Sequence, residues 1–165
     1  MIEKVVSNRI VEHLVQHELY DKNQSAYRAS HSTETSLLRV HHDVVSSLDR
    51  RSMVALIMLD LSAAFDVIDH AILLKRLNIS YGFSDKALAW IESYLNDRKQ
   101  CVAIGEARSN DTNIESGVPQ GSVLGPLLYL LYTKPVAEIC RRHGVCHQCY
   151  ADDIQLYMVV RDDEH

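Results

Sequence analysis

"CYADDIQLY", residues 149–157, sets two adjacent carboxylates, Asp152 and Asp153, between two runs that read as β-strands, "VCHQCYA" and "IQLYMVV". The pattern predicts a hairpin with acids at its bend. Neighbouring like charges raise each other's pKa, so the pair is costly unless water or a cation compensates it. An acidic turn often does no more than solvate itself. What decides between these readings is whether a third acid reaches the same place.

Working outward, "VALIML", residues 54–59, is apolar at every position and ends on Asp60. It does not alternate as a half-exposed strand would, and it is short for a helix, so the pattern predicts a central strand covered on both faces. Asp60 then closes a strand as Asp152 closes another. If the two strands are neighbours, the three carboxylates converge. A buried sheet end holding several anions calls for a shared cation, and hard divalent ions prefer oxygen ligands. Magnesium binds through one or two carboxylates plus substrate phosphates, and two such ions stabilise the attacking and leaving oxygens of a phosphoryl displacement.

The remaining segments supply helices around these strands. Residues 2–19 carry Ile2, Val6, Ile10 and Leu14 in one stripe, and "YDKNQSAYRASHS" then interrupts with turn-forming residues. Ser32 is a candidate N-cap with Glu34 in the first turn, followed by Leu37, Val40, Val44 and Leu48 at helical spacing. After Asp60, Ser62 is positioned to cap a helix whose face is Ala64, Ile68, Ala71 and Ile72. "SDKALAWIESYLNDR" predicts another helix capped by Ser84, and "KQCVAI" and "NIESG", separated by "GEARSNDT", predict two short strands. In "SGVPQGSVLGPLLYLLYTKPVAEICRRHG" the glycines and Pro119 predict a tight loop and Ser122 a helix start. Pro126 is tolerable in the first turn, Pro135 should kink or break the helix, and Arg141, Arg142 and Gly144 end it. The order predicts an α+β fold, an antiparallel sheet backed by helices.

Composition narrows the class. At 165 residues and 47% hydrophobic content the chain can bury one ordinary core, which predicts a single compact unit. "MIEKVVSNRI" carries charges where a signal peptide needs an apolar run, and "LLYLLY" is too short to span a bilayer, so no membrane partner is expected. The net charge of −5 has the wrong sign for a free-standing nucleic-acid binder. Cys101, Cys140, Cys146 and Cys149, with His143 and His147 among them, invite a zinc reading. On a strand, however, Cys146 and Cys149 face opposite ways, and reduced structural thiols fit better. "HLVQH", residues 13–17, lacks the glutamate of the zinc-protease motif and reads as an ordinary helix face.

Three segments, in order, resemble the palm motifs of reverse transcriptases: "LDLSAAFDVIDH", "GVPQGSVLGPLLYLLY" and "YADD". "SVLGPLL" and "YADDIQLY" are similar to the non-LTR retrotransposon polymerases of the LINE type (jockey- and CR1-like), and "IEKVVSNRI" and "QSAYRASHST" to the segments that precede their palm. The resemblance covers residues 2–160. It implies a polymerase palm-type sheet with part of a helical fingers region, residues 1–52 on the fingers side and 53–165 in the palm core, with the thumb absent.

The resemblance also implies an RNA-directed DNA polymerase that joins a dNTP to a primer 3′-hydroxyl on an RNA template, using two magnesium ions, with manganese as a possible substitute. By the same likeness Asp60 and Asp152 are metal ligands and Asp153 the third acid. Phe65 is a steric gate beneath the sugar, Gln120 helps seat the nucleotide, and Tyr150 lies near the primer end. An intracellular location, nuclear or cytoplasmic, goes with the family. On the residues alone Phe65 reads as core, near the apolar face of Ile68 and Ile72, and Gln120 as a loop glutamine, while Arg28 reads either as a contact to template or nucleotide phosphate or as a solvated loop cation. Where the family pattern has Gln, any residue, Gly, Phe, this chain has Gln24, Ser25, Ala26, Tyr27, and alanine would strain a backbone needing positive φ. Family members carry basic fingers, primer-grip and thumb segments outside this stretch, which agrees with the negative charge here and predicts weak duplex binding and poor polymerisation by the chain alone. The rival reading is an inactive retroelement remnant or a binding module. An RNA-templated RNA polymerase or a nucleotide cyclase is disfavoured by the aromatic at 65 and the "VPQGS" loop.

Overall fold

The computed structural model describes residues 1–61 and 63–160. Ser62, expected as a helix cap, lies outside the described residues. Among the described residues there are five helices: α1 (Ile2–Gln16), α2 (Thr33–Asp49), α3 (His70–Tyr81), α4 (Asp85–Leu95) and α5 (Gly125–Arg142). The strands are β1 (Met53–Leu59), β2 (Lys99–Gln100), β3 (Ala103–Ile104), β4 (Ala107–Arg108), β5 (Thr112–Asn113), β6 (Cys146–Tyr150) and β7 (Asp153–Val160). The fold is mixed, of helices and antiparallel strands, as the pattern predicts. The chain divides into two compact units, one comprising residues 1–16 and 63–132, the other 17–62 and 133–165.

In the first unit the core is aliphatic. Ile10, Leu14, Ile68, Leu73, Leu77, Ile91, Leu95, Leu124 and Leu128 are almost fully excluded from solvent. Of the α1 stripe, Ile10 and Leu14 are buried while Ile2 is 69% exposed. Glu3 joins α1 to the start of α5, its carboxylate accepting from the amide of Val123 at 2.8 Å. The helix expected soon after Asp60 begins only at His70. Residues 63–66 form a turn, and Asp69 caps α3 by accepting from the Ile72 amide at 2.8 Å. That start rotates the buried face to Leu73, Leu77 and Tyr81 and leaves Ala71 and Ile72 outside it, a correction to the expected stripe. The short strands pair as β2 with β5 and β3 with β4, so the polar "GEARSNDT" itself contributes a strand.

α5 runs unbroken through Pro135. Proline has no amide to give the carbonyl four residues back, Leu131. The Tyr81 hydroxyl donates to that carbonyl at 3.1 Å instead, and Arg76 donates to the neighbouring Tyr132 carbonyl while its guanidinium covers the Tyr132 ring at 4.4 Å. With the Leu131 carbonyl supplied by Tyr81, the helix survives its proline.

In the second unit the sheet order is β1-β7-β6, all antiparallel. α2 lies against it, with Ser32 and Thr35 forming a reciprocal capping box and Tyr157 of β7 donating to Asp43 of α2 at 2.5 Å. β1 is an edge strand of this sheet and largely exposed, Ile57 at 56% and Met58 at 74%. The expectation of a central strand covered on both faces is therefore corrected. An unbroken apolar run states what its side chains prefer to bury, but the cover must come from other segments, which the run does not specify. The outer side of β6 is covered by residues 23–25, which bridge to it through Ser25 N–H to the Cys149 carbonyl (3.0 Å) and Cys149 N–H to the Asn23 carbonyl (2.8 Å). Positive φ in this segment falls on Tyr27 rather than Ala26, so alanine in place of glycine brings no strain there.

Candidate active site

β1 and β7 pair in register from Met53↔Val160 to Leu59↔Ile154. One step past the last pair, Asp60 follows Leu59 and Asp153 precedes Ile154, and antiparallel partners lie about 4.5–5.5 Å apart. β6 and β7 are joined by the two-residue turn Ala151–Asp152, closed by the pair Tyr150↔Asp153. Asp60, Asp152, Asp153 and Tyr150 therefore gather at one end of the sheet because of the ladder register. Asp60 and Asp153 are exposed and Asp152 is half-buried. None of the three carboxylates takes part in a hydrogen bond or ion pair among the described residues. Tyr27 stands beside them, its hydroxyl pKa raised by burial and then by the charges of Asp152 and Tyr150.

Behind the acids the hairpin is fastened by polar side chains. His147, 2% exposed, donates to the Asp21 carboxylate at 3.3 Å, and the Asn23 amide donates to the same carboxylate at 2.7 Å. Burial by itself would raise the Asp21 pKa, but these bonds and the charges of His147 and Arg141 outweigh it and hold the carboxyl below its usual value. Cys149 is pushed up to about 12 by burial, with Asp21 adding to it, so it is a neutral thiol. Arg28, half-exposed, is tied to its own loop. Its Nη1 donates to the carbonyls of Asp21 and Gln24 at 2.9 and 3.0 Å, which staples the 21–28 loop.

Phe65 and Gln120 belong to the first unit, on two loops that tie to each other. Val118 N–H donates to the Phe65 carbonyl (2.8 Å), Gly117 N–H to the Ile68 carbonyl (2.7 Å), and His70 Nε2 to the Gly117 carbonyl (2.7 Å). Gly117 has φ +87, and a Cβ there would lie 2.9 Å from Asp66 Cα, so only glycine fits this approach. The Phe65 ring is half-buried, tilted against Tyr129 at 5.0 Å, and thus partly core after all. The Gln120 amide donates to both Asp66 carboxylate oxygens at 3.2 and 3.3 Å. The role of Asp66 escaped the sequence reading, although its place directly after Phe65 was in view. Gln24 was seen only as part of a family pattern.

The acids suit a divalent cation by donor type, being oxygen-only, unengaged and accessible. Among the described residues no three His, Cys, Asp or Glu side chains form a ready metal cage. An ion held by one or two carboxylates and completed by substrate phosphates requires none. All four cysteines are free, with Cys146 exposed and Cys149 buried on opposite faces of β6.

Residues 1–165 match the family described as "Reverse transcriptase (RNA-dependent DNA polymerase)". The chain belongs to the reverse transcriptase family. Among curated relatives of this reverse transcriptase domain, it is 34% identical over 156 residues to a probable RNA-directed DNA polymerase from transposon X-element of Drosophila melanogaster. It is 32% identical over 159 residues to the RNA-directed DNA polymerase from mobile element jockey of Drosophila funebris. Each match covers 93% of this chain and 17% of the relative, so the domain spans about a sixth of their length. The fold also resembles solved telomerase structures from Candida albicans (TM-score 0.67, 13% identity, 95% of this chain and 30% of that one) and Candida tropicalis (TM-score 0.69, 14% identity, 97% and 34%). Among the described residues no helix is long and apolar enough to cross a membrane.

Proposed function

We propose that this reverse transcriptase domain supplies the palm and part of the fingers, residues 53–165 and 1–52, of a polymerase that extends a DNA primer with dNTPs on an RNA template. The observation that carries the reading is the ladder register, which brings Asp60 beside the hairpin acids Asp152 and Asp153 with all three carboxylates unengaged. Asp60 and Asp152 would hold the divalent ions, two Mg²⁺ or Mn²⁺ in their stead, and Asp153 would add negative charge beside them. The ions, when bound, lower the pKa of the primer hydroxyl and take up charge on the leaving pyrophosphate. Phe65 would exclude a 2′-hydroxyl, Gln120 would orient the nucleotide, and Tyr150 would border the primer end. With a net charge of −5, the grip on the template–primer duplex must come largely from basic segments elsewhere in the polymerase.

The test is primer extension by a polymerase completed with the rest of its chain, comparing the parent with Asp152→Asn. Loss of extension with an unchanged circular dichroism spectrum is expected. Retained extension would remove Asp152 from the ligand set. The rival reading, a retroelement remnant that folds without catalysing, is separated by the same assay. Under it, the parent enzyme itself extends no primer.

A further inference from the structure

Gln24 is 8% exposed, and its carboxamide is directed at the acid turn. Its Nε2 donates to the Ala151 carbonyl at 3.2 Å and its Oε1 accepts from the Ala151 amide at 3.2 Å, so both backbone polar groups of one turn residue are held by one side chain. Oε1 also accepts from Ala26 N–H at 3.0 Å, which fixes the carboxamide itself. Ala151 has φ +57, a left-handed conformation that alanine adopts at a cost and that a two-residue hairpin turn requires. Asp152 is the next residue. The strap that carries Gln24 is anchored to β6 by its backbone bridge, by Gln148 Nε2 donating to Ser25 Oγ at 2.9 Å, and by Asp21 at His147.

We propose that Gln24 is a positioning residue for the acid turn: by clamping Ala151 in the left-handed conformation it fixes the direction in which Asp152 presents its carboxylate. The proposal rests on the reading of Asp152 as a metal ligand. Gln24 touches no reacting group and acts through the turn, as residues that orient metal ligands do.

Gln24→Met keeps length and volume and removes all three bonds. Mn²⁺ binding to the 165-residue chain is measured by electron paramagnetic resonance, with Asp152→Asn as reference, and the backbone ¹³C shifts of Ala151 are read by NMR. The expected result is about tenfold weaker Mn²⁺ binding in Gln24→Met, with Ala151 shifts departing from left-handed values. In an Ala151→Gly background, where glycine adopts the turn without cost, the same substitution should cost less. A role in stability alone would lower Tm and leave the metal affinity of the folded protein unchanged.

Unaltered affinity and unaltered Ala151 shifts, with Asp152→Asn having lost the ion, overturn the proposal. If Asp152→Asn binds Mn²⁺ as the parent does, it is the metal reading that falls, and the Ala151 shifts alone decide whether Gln24 holds the turn. Should Gln24→Met fail to fold, Gln24→Glu keeps the acceptor contacts and drops the donation to the Ala151 carbonyl, and it is read at the same shifts.

Discussion

The two units solve opposite problems with different materials. The first is built on leucine and isoleucine, and its candidate nucleotide loops are drawn together by backbone hydrogen bonds around Gly117. The second buries Gln24, Ser25, Ser36, His147 and Gln148, and four of these lie in or beside the hairpin that carries the acids. An apolar core suffices where glycine and backbone geometry define a loop. A turn that must present unengaged carboxylates needs directional bonds behind it, because apolar contact does not fix orientation.

Gly117→Ala should have the largest effect. The left-handed φ costs about 1–2 kcal/mol and the clash with the Asp66 backbone about 1–3 more. Urea unfolding should show a loss near 3 kcal/mol, whereas Gly121→Ala, with positive φ and open space around it, should lose about 1 kcal/mol. Equal losses would mean that the loop contact at 117 is not tight.

Next in size is Phe65→Val in the completed polymerase. If the ring is a gate, ribonucleotide exclusion should weaken by about ten- to hundredfold in kcat/KM ratio. Unchanged sugar discrimination would leave Phe65 as a packing partner of Tyr129.

The smallest effect concerns acid. The Asp21 pKa is depressed in the folded state, so its contribution is present above the unfolded carboxylate value near 3.8 and is lost as pH falls through the lower folded value. Thermal unfolding followed from pH 6 down to pH 2 should show the parent losing stability relative to Asp21→Asn in that window. Parallel curves would contradict the role assigned to the Asp21–His147 pair.

The acid end of the fold was legible where it depends on local rules. Alternation sets the hairpin and its two-residue turn sets the β6–β7 register, whereas the pairing of β1 with β7 that puts Asp60 beside Asp153 joins residues far apart in sequence and was legible only as a condition. The candidate nucleotide loops were legible only through family likeness, since loop-to-loop bonds such as Val118 to Phe65 join residues far apart in sequence and leave no periodicity. The late start of α3 escaped because Ser62 reads as a cap in the sequence, whereas the helix begins at His70 with Asp69 as its cap. The survival of α5 through Pro135 depended on Tyr81, a donor more than fifty residues away. Gln24 was hidden for a related reason: a buried amide that clamps a distant turn looks in sequence like any loop glutamine.

We propose that Asp60 and the hairpin acids share a divalent ion. The most direct test is Mn²⁺ titration of the ¹⁵N-labelled chain, following paramagnetic broadening of backbone amides. Resonances of Asp60, Asp152 and Asp153 should broaden together at the same low Mn²⁺ concentration and recover on adding a chelator. Broadening at residues 152 and 153 that leaves residue 60 sharp, or the reverse, would contradict it.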